Sequence, residues 1–321
     1  MNIEIIQESE LKEKVTITTE ALLSVEQAFV KLAEGKVTMP PVMHLDIKEF
    51  QGEVDVKSAY IHGLDKFVIK QSSGFFNNPK KGLPSSGGLM IVIDATTGFP
   101  CALLLDNGYL TDIRTALAGA ISAKYLANDN IHSVGVIGSG NQAKYQLKAL
   151  KLVRDYKEVI IYARDTNQAK AYKSEMENIL DCSIKIASSP EEVAKSCQLL
   201  VTTTPATTPY ILHEYLHKGL HITAMGSDAA VKNEIDARCF NHFDRIICDT
   251  VDQSLVIGEC HHAHIANTFN SNKHKVLTLG EIIKDKPLGR QSKKDITLCD
   301  LTGTGAQDTA IAKFALEALY S

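Results

Sequence analysis

The stretch SVGVIGSGNQA, Ser133 to Ala143, decides how the rest of the chain is read. Val134, Val136 and Ile137 have the character of a short buried strand. Gly138-Ser139-Gly140-Asn141-Gln142-Ala143 matches the G-x-G-x-x-G/A turn, and Lys144–Val153 reads as the helix it opens. In such a turn the first glycine permits the tight bend and the second lets backbone approach a pyrophosphate. The small third residue lets helix and strand pack closely. The free N–H groups and positive dipole end of the helix favour phosphate. A glycine pattern alone is a weak signal, because strand-to-helix turns also carry glycine for structural reasons. Here a second strand, Glu158–Tyr162, begins about 20 residues past Gly138 and completes the context. The stretch therefore predicts a dinucleotide-binding unit.

Working outward, strand and helix alternate from Ser133 onward, the mark of a parallel doubly wound sheet. Strands are expected at 184–187, 199–203, 221–225, 245–248 and 296–301, with helices at 167–180 and 190–195 and a closing helix at 306–320. Upstream the pattern differs. An amphipathic helix is expected over Thr19–Gly35, followed by short strands at 42–47, 53–61, 67–70, 89–93 and 101–105. Turn clusters between them point to an antiparallel or mixed sheet. An alanine-rich helix, Asp112–Leu126, ends at Asn128–Asn130. The expected architecture is α/β: a Rossmann-type domain over 128–302 beside an α+β substrate-binding and assembly domain, 1–127 with about 303–321.

Composition narrows the function. The 321 residues carry a net charge of −4 with a pI near 6.3 and no long basic tract, which argues against nucleic acid or anionic membrane as partner. The N-terminus has no basic stretch followed by an apolar core, so no signal peptide is expected. No apolar run approaches the ~20 residues of a membrane span. Seven scattered cysteines without paired spacing suggest reduced thiols in a cytoplasmic protein.

In open α/β sheets ligands lie outside the carboxyl ends of the strands. That selects Thr203 and Thr204 after one strand, and Met225, Gly226 and Asp228 after another. Asp228 could meet a substrate amine or simply cap a helix. Lys70 ends the apolar run Phe67-Val-Ile; it is either solvated or half-buried to hold a carboxylate or donate a proton. Arg114 sits in the first turn of an otherwise apolar helix, either paired with a nearby Asp or acting as a bidentate carboxylate clamp. Cys260-His261-His262-Ala-His264 lacks the separated ligand pairs of a structural zinc site, and no metal is expected.

Taken together, the chain resembles the ornithine cyclodeaminase/μ-crystallin family over nearly its whole length. The resemblance is carried by PPVMHLDI (40–47), FVIKQSSGFF (67–76), DNGYLTDIRTALAGAISAKYLA (106–127), GVIGSGNQA (135–143) and TAMGSDAAVKNEID (223–236). IGECHHA (257–263) and LTGTGAQD (301–308) add to it. Within the family it is most similar to ectoine-utilisation cyclodeaminase-like proteins and, more loosely, to iminosuccinate reductases. The resemblance implies a homodimer and NAD(P)-dependent chemistry at the Cα–N bond of a small amino or imino acid. It places Lys70 and Arg114 on the substrate carboxylate, Asp228 as acid/base near the amine, and Asp55 where cyclodeaminases carry a glutamate. It assigns cofactor contact to Thr115, Gly138, Ser139, Gly140, Asn141, Gln142, Ala163, Arg164, Thr203, Thr204, Met225 and Gly226. Two positions depart from the pattern. A carboxylate-binding arginine is replaced by Met43, flanked by His44, and Ala-Ala-Val-Lys232 follows Asp228 in place of Pro-Gly-Lys. Both argue against ornithine as the substrate.

The expected function is an imine reductase or amino-acid dehydrogenase. The alternatives are a cyclodeaminase, releasing ammonia with catalytic NAD, and a μ-crystallin-type protein that binds NADPH or a small ligand. The ribose slot after the second strand holds Ala163 and Arg164 rather than an acid, which leans the cofactor toward NADP(H).

Overall fold

In the computed structural model, which describes residues 3–268 and 276–320, the chain passes from one compact unit to another inside a single helix. The first unit comprises Met1–Arg114 and Thr304–Ser321, the second Thr115–Gly303. The division falls within the helix Tyr109–Leu126 rather than after residue 127, so residues 115–127 group with the second unit.

The first unit runs β1 (Glu4–Gln7), α1 (Glu8–Lys14), α2 (Thr19–Ala33), β2 (Val37–Thr38), β3 (Met43–Ile47), β4 (Gly52–Ile61), β5 (Lys66–Phe75), β6 (Ser86–Asp94) and β7 (Pro100–Leu105). The sheet is mixed, in the order β1-β7-β6-β5-β4-β2, with β3 also along β4. β1 joins β7 in parallel; the other pairs are antiparallel. The C-terminal helix Gly305–Tyr320 lies against β4, β5 and α2, closing a core of Ala28, Ala59, Ile61, Ala306 and Ala310. Gly305 makes this approach possible. A Cβ there would lie 2.5 Å from the Ser58 backbone.

α3 (Tyr109–Leu126) starts three residues earlier than its apolar pattern suggests, because Asp106-Asn107-Gly108 forms its cap. Asn107 and Gly108 take positive φ, 51° and 86°, and Asp106 Oδ2 accepts from the Leu110 N–H at 2.9 Å.

The second unit holds β8 (Ser133–Ile137), α4 (Asn141–Leu150), β9 (Glu158–Tyr162), α5 (Thr166–Leu180), β10 (Ser183–Ile186), α6 (Pro190–Ser196), β11 (Leu199–Thr202), β12 (His221–Ala224), β13 (Arg245–Cys248), α7 (Val251–Ser254), α8 (Glu259–Ile265), β14 (Leu277–Thr278), α9 (Leu279–Lys284) and β15 (Thr297–Asp300). Its strands pair in parallel in the order β10-β9-β8-β11-β12-β15-β13-β14. Both sheet faces are covered, as a parallel sheet requires. Val134 and Val136 point into one layer with Leu147, Tyr172 and Met176. Ile137 points into the other, with Val193, Leu200, Ile222 and Phe240. The chain leaves β8 toward β9 on one side and returns to β11 on the other. The crevice at such a switch point is where this fold binds ligands.

Candidate active site

In the second unit the glycine turn occupies that switch point. Gly138 has φ +114°, a left-handed value that disfavours side chains, and a Cβ there would lie 2.5 Å from Thr203 Oγ1. At Gly140 a Cβ would meet nothing within 4 Å, so backbone is open to an approaching group. Gly140 is also the N-cap of α4 and supplies no side-chain cap, so the helix N-terminus opens directly behind the turn. An exposed, uncapped helix start behind two glycines fits a dinucleotide pyrophosphate. α4 begins at Asn141, three residues before its expected start, because the turn leads directly into it.

Thr115 and Gln142 are drawn to the same place by Gln146, whose Nε2 donates to the Thr115 carbonyl at 2.9 Å and to Gln142 Oε1 at 3.3 Å. Ser139 Oγ donates to Gln168 Oε1. After β9, Ala163 is half-buried and Arg164 exposed. Asp165 caps α5, accepting from the Asn167 and Gln168 N–H groups, so its carboxylate is already engaged.

The ends of β11 and β12 are tied together by a residue the sequence reading did not single out. Glu234 is fully buried and accepts from Thr202 Oγ1 (2.6 Å), from the Thr204 N–H and Oγ1 (2.7 Å each), from Tyr210 Oη (2.5 Å) and from the Gly226 N–H (3.0 Å). Burial pushes its carboxyl above the usual range against these donors. Met225 donates its N–H to the Thr202 carbonyl, and Thr203 donates both N–H and Oγ1 to Ile137 at the end of β8. Thr203, Thr204, Met225 and Gly226 thus form one stitched edge. No helix follows Asp228, which removes the helix-cap reading. Its Oδ1 instead accepts from Lys232 Nζ at 2.6 Å.

In the first unit Lys70 and Arg114 come together on Asp308 of the C-terminal helix. Lys70 is 2% exposed and its Nζ lies 3.0 Å from Oδ1 and 2.9 Å from Oδ2 of Asp308. Arg114 Nε donates to Asp308 Oδ1 at 2.9 Å and Nη1 to Gln307 Oε1 at 3.1 Å. Both cations are buried, so the lysine is not solvated and the arginine is not an exposed residue, although it is paired with an aspartate, Asp308. Burial, and the Arg114 charge beside it, lower the Lys70 ammonium to about 7 although Asp308 opposes this. Burial works against the Asp308 carboxylate too, but Lys70 and Arg114 outweigh it and hold the group below its ordinary value. Lys57, opposite Lys70 in the ladder, is also buried. Lys57, Lys70, Arg114 and Asp308 together carry excess positive charge when all are ionised, an arrangement suited to a carboxylate.

The register corrects one expectation. Met43 pairs with Val56, one position off the row of Lys57 and Lys70, so it stands on the opposite face of the sheet and is 52% exposed. It is not placed to join the clamp. His44 pairs with Asp55, which pairs with Ser72, and this row shares the face of Lys70. His44 Nδ1 lies 2.7 Å from Asp55 Oδ1.

Among the described residues no group of three His, Cys, Asp or Glu side chains converges as metal ligands. His261 and His262 instead meet the Leu255 and Lys232 carbonyls. A cavity of 480 Å³ in the second unit, lined by Lys124, Tyr125, Asn130, Lys286 and Lys293, contains none of the expected site residues. Two of its lysines lie over the Tyr125 ring.

Comparison with known proteins covers nearly the whole chain. The model of the ornithine cyclodeaminase/mu-crystallin family matches residues 2–321. The uncharacterized cyclodeaminase y4tK of Sinorhizobium fredii is 44% identical over 314 residues, covering 98% of this chain and 95% of that protein. The alanine dehydrogenase of Archaeoglobus fulgidus is 37% identical over 298 residues, covering 93% and 89%. Among solved structures, an archaeal alanine dehydrogenase dimer with bound NAD gives a TM-score of 0.91 at 34% identity, covering 100% of this chain and 97% of that one.

Proposed function

The chain belongs to the ornithine cyclodeaminase/mu-crystallin family and is an NAD(P)-dependent enzyme, and on that premise we propose that it is an imine reductase or amino-acid dehydrogenase acting on a small 2-imino or 2-amino acid. The observation that carries this reading is the buried pairing of Lys70 and Arg114 on Asp308. Two cations sharing one carboxylate leave a receptor for a second, and a carboxylate is what every 2-amino and 2-imino acid brings.

The glycine turn with Asn141, Gln142, Thr203 and Thr204 would hold the dinucleotide. When bound, the nicotinamide supplies or accepts the hydride at Cα. The protein's own residues do the rest. Arg114 and Lys70 orient the substrate through its carboxylate, which makes the chemical step effectively unimolecular. Asp228 takes a proton from the amine in oxidation, or stabilises the iminium in reduction. The Thr202–Glu234–Gly226 stitching keeps the loop that carries Asp228 in register with β11. Arg164, exposed and without an ion pair among the described residues, would meet a 2′-phosphate, so we infer NADP(H) as the preferred cofactor. The working protein is a homodimer in the cytoplasm. Its seven free cysteines, five of them buried, accord with a reducing compartment.

The test is a screen of small amino acids and their imines, following NAD(P)H absorbance and ammonia together. An imine that consumes NAD(P)H supports the reading. Ammonia release without net cofactor change assigns a cyclodeaminase, and tight cofactor binding without turnover assigns a binding protein. Replacing Arg114 by Lys should raise KM by about tenfold or more, because a planar fork becomes a point charge.

A further inference from the structure

We propose that His44 is the proton carrier for the substrate nitrogen and that Asp55 is the positioning residue that holds its ring. The inference rests on the reading above, moves the proton step given there to Asp228 onto His44, leaving Asp228 to stabilise the iminium, and departs from the expectation that Asp55 acts on the substrate itself.

Three observations support it. First, the ladder places His44 and Asp55 on the same sheet face as Lys70. Asp55 faces Ser72, two residues from Lys70 on β5, so it stands diagonal to Lys70 at a separation of about 7–8 Å. His44 stands one strand further from Lys70 than Asp55 does, so its reach to the nitrogen of a substrate held at Lys70 and Arg114 is what the experiment below reads. Second, the 2.7 Å contact from His44 Nδ1 to Asp55 Oδ1 fixes the ring. With Asp55 ionised the proton sits on Nδ1 and the Nε2 lone pair is left for exchange. Third, the two side chains differ in access. His44 is 42% exposed and open to solvent protons, whereas Asp55 is 14% exposed and covered.

The charged groups that the register puts on this face are Glu4 on β1, Asp46 on β3, Glu53 and Lys57 on β4, Lys66 and Lys70 on β5, and Asp94 on β6. Arg114 from α3 and Asp308 from the C-terminal helix complete the set. In the oxidative direction Nε2 takes one proton from the substrate ammonium. The nitrogen lone pair so freed forms the C=N bond as hydride leaves Cα. In reduction His44 returns a proton to the product amine, and atoms and charge balance in both directions.

The experiment uses full-length enzyme with whichever amino or imino acid the screen identifies. His44→Gln should lower kcat by about 10²-fold or more while KM stays within about threefold and the melting temperature is unchanged. The acid limb of the kcat/KM profile should vanish in this variant. Asp55→Asn should lower kcat in part without removing it, because the ring loses the carboxylate that orients it. Added imidazole should restore part of the turnover of His44→Ala. Leu45→Gln, on the opposite face, is the control and should behave as wild type. An acid limb that persists in His44→Gln belongs to another group and overturns the proposal. Normal turnover in His44→Gln overturns it as well. A wild-type enzyme that turns over no amino or imino acid overturns the underlying functional reading, and this inference with it.

Discussion

Replacing Asp308 by Asn tests the buried charge cluster at its centre. Asp308 is fully buried and lies within 2.9–3.0 Å of both Lys70 Nζ and Arg114 Nε. At an effective dielectric near 20, each such pair attracts by roughly 5 kcal/mol before desolvation is counted. Removing one partner of a buried pair costs about 3–5 kcal/mol, because the remaining charge is left uncompensated. Lys70 offers partial relief. Its ammonium is already lowered to about 7, and without Asp308 it falls further, so at neutral pH it sheds its proton. Arg114 cannot, and remains the single uncompensated charge. The expected loss is therefore near the lower end, about 3 kcal/mol, or a fall in Tm of roughly 4–5 °C for a chain of this length.

The pH dependence carries a second signature. Lys70's folded value lies below its unfolded one, so above about pH 7 the folded protein binds fewer protons than the unfolded chain and stability rises with pH. In Asp308→Asn that rise should begin at lower pH. Asp308 acts in the same direction at acid pH: its depressed value contributes stability that is lost as pH falls through it, and the variant lacks that acid-side loss. Calorimetry at several pH values reads both. A variant that melts within about 2 °C of wild type, with an unchanged pH profile, would refute the reasoning.

Gly138→Ala should abolish dinucleotide binding, measured by cofactor fluorescence, because the new Cβ meets Thr203 Oγ1 at 2.5 Å and φ is +114°; unaltered affinity would remove the turn from the site. Asp228→Asn should lower turnover by about 10²–10⁴ while Tm holds, and near-normal turnover would show that the carboxylate takes no part in the chemical step. Arg164→Ala should weaken NADPH binding and leave NADH binding unchanged in parallel titrations, and a tighter NADH constant in the parent would contradict the NADP(H) preference.

The nucleotide unit was largely legible because its signals are local. The glycine turn, the strand before it and the helix after it lie within twenty residues, and β9 and β13 begin and end where the apolar runs do. The edge element Glu4–Lys14 was not, since ESELKEK is polar and buries only Leu11. Lys70 and Arg114 were named, but their shared partner Asp308 lies 238 and 194 positions away, and no spacing rule connects them. Glu234 was hidden likewise, since its donors come from Thr202 at the end of β11, Thr204 and Tyr210 in the connection after it, and Gly226 beyond β12. Met43 against His44 is a matter of parity. A strand's side chains alternate, and only the β3–β4 register, set through Lys48–Phe50 and the left-handed Gln51, says which of the two shares the face of Lys70.

The central claim is that hydride moves between cofactor and Cα once per turnover with net cofactor consumption. The most direct measurement uses nicotinamide cofactor deuterated at C4, with the imino acid found in the screen, and follows the label into product by NMR. The account predicts deuterium at Cα of the amino acid, formed in equal amount to oxidised cofactor. Ammonia released in step with product, with the cofactor unchanged at the end, would contradict it.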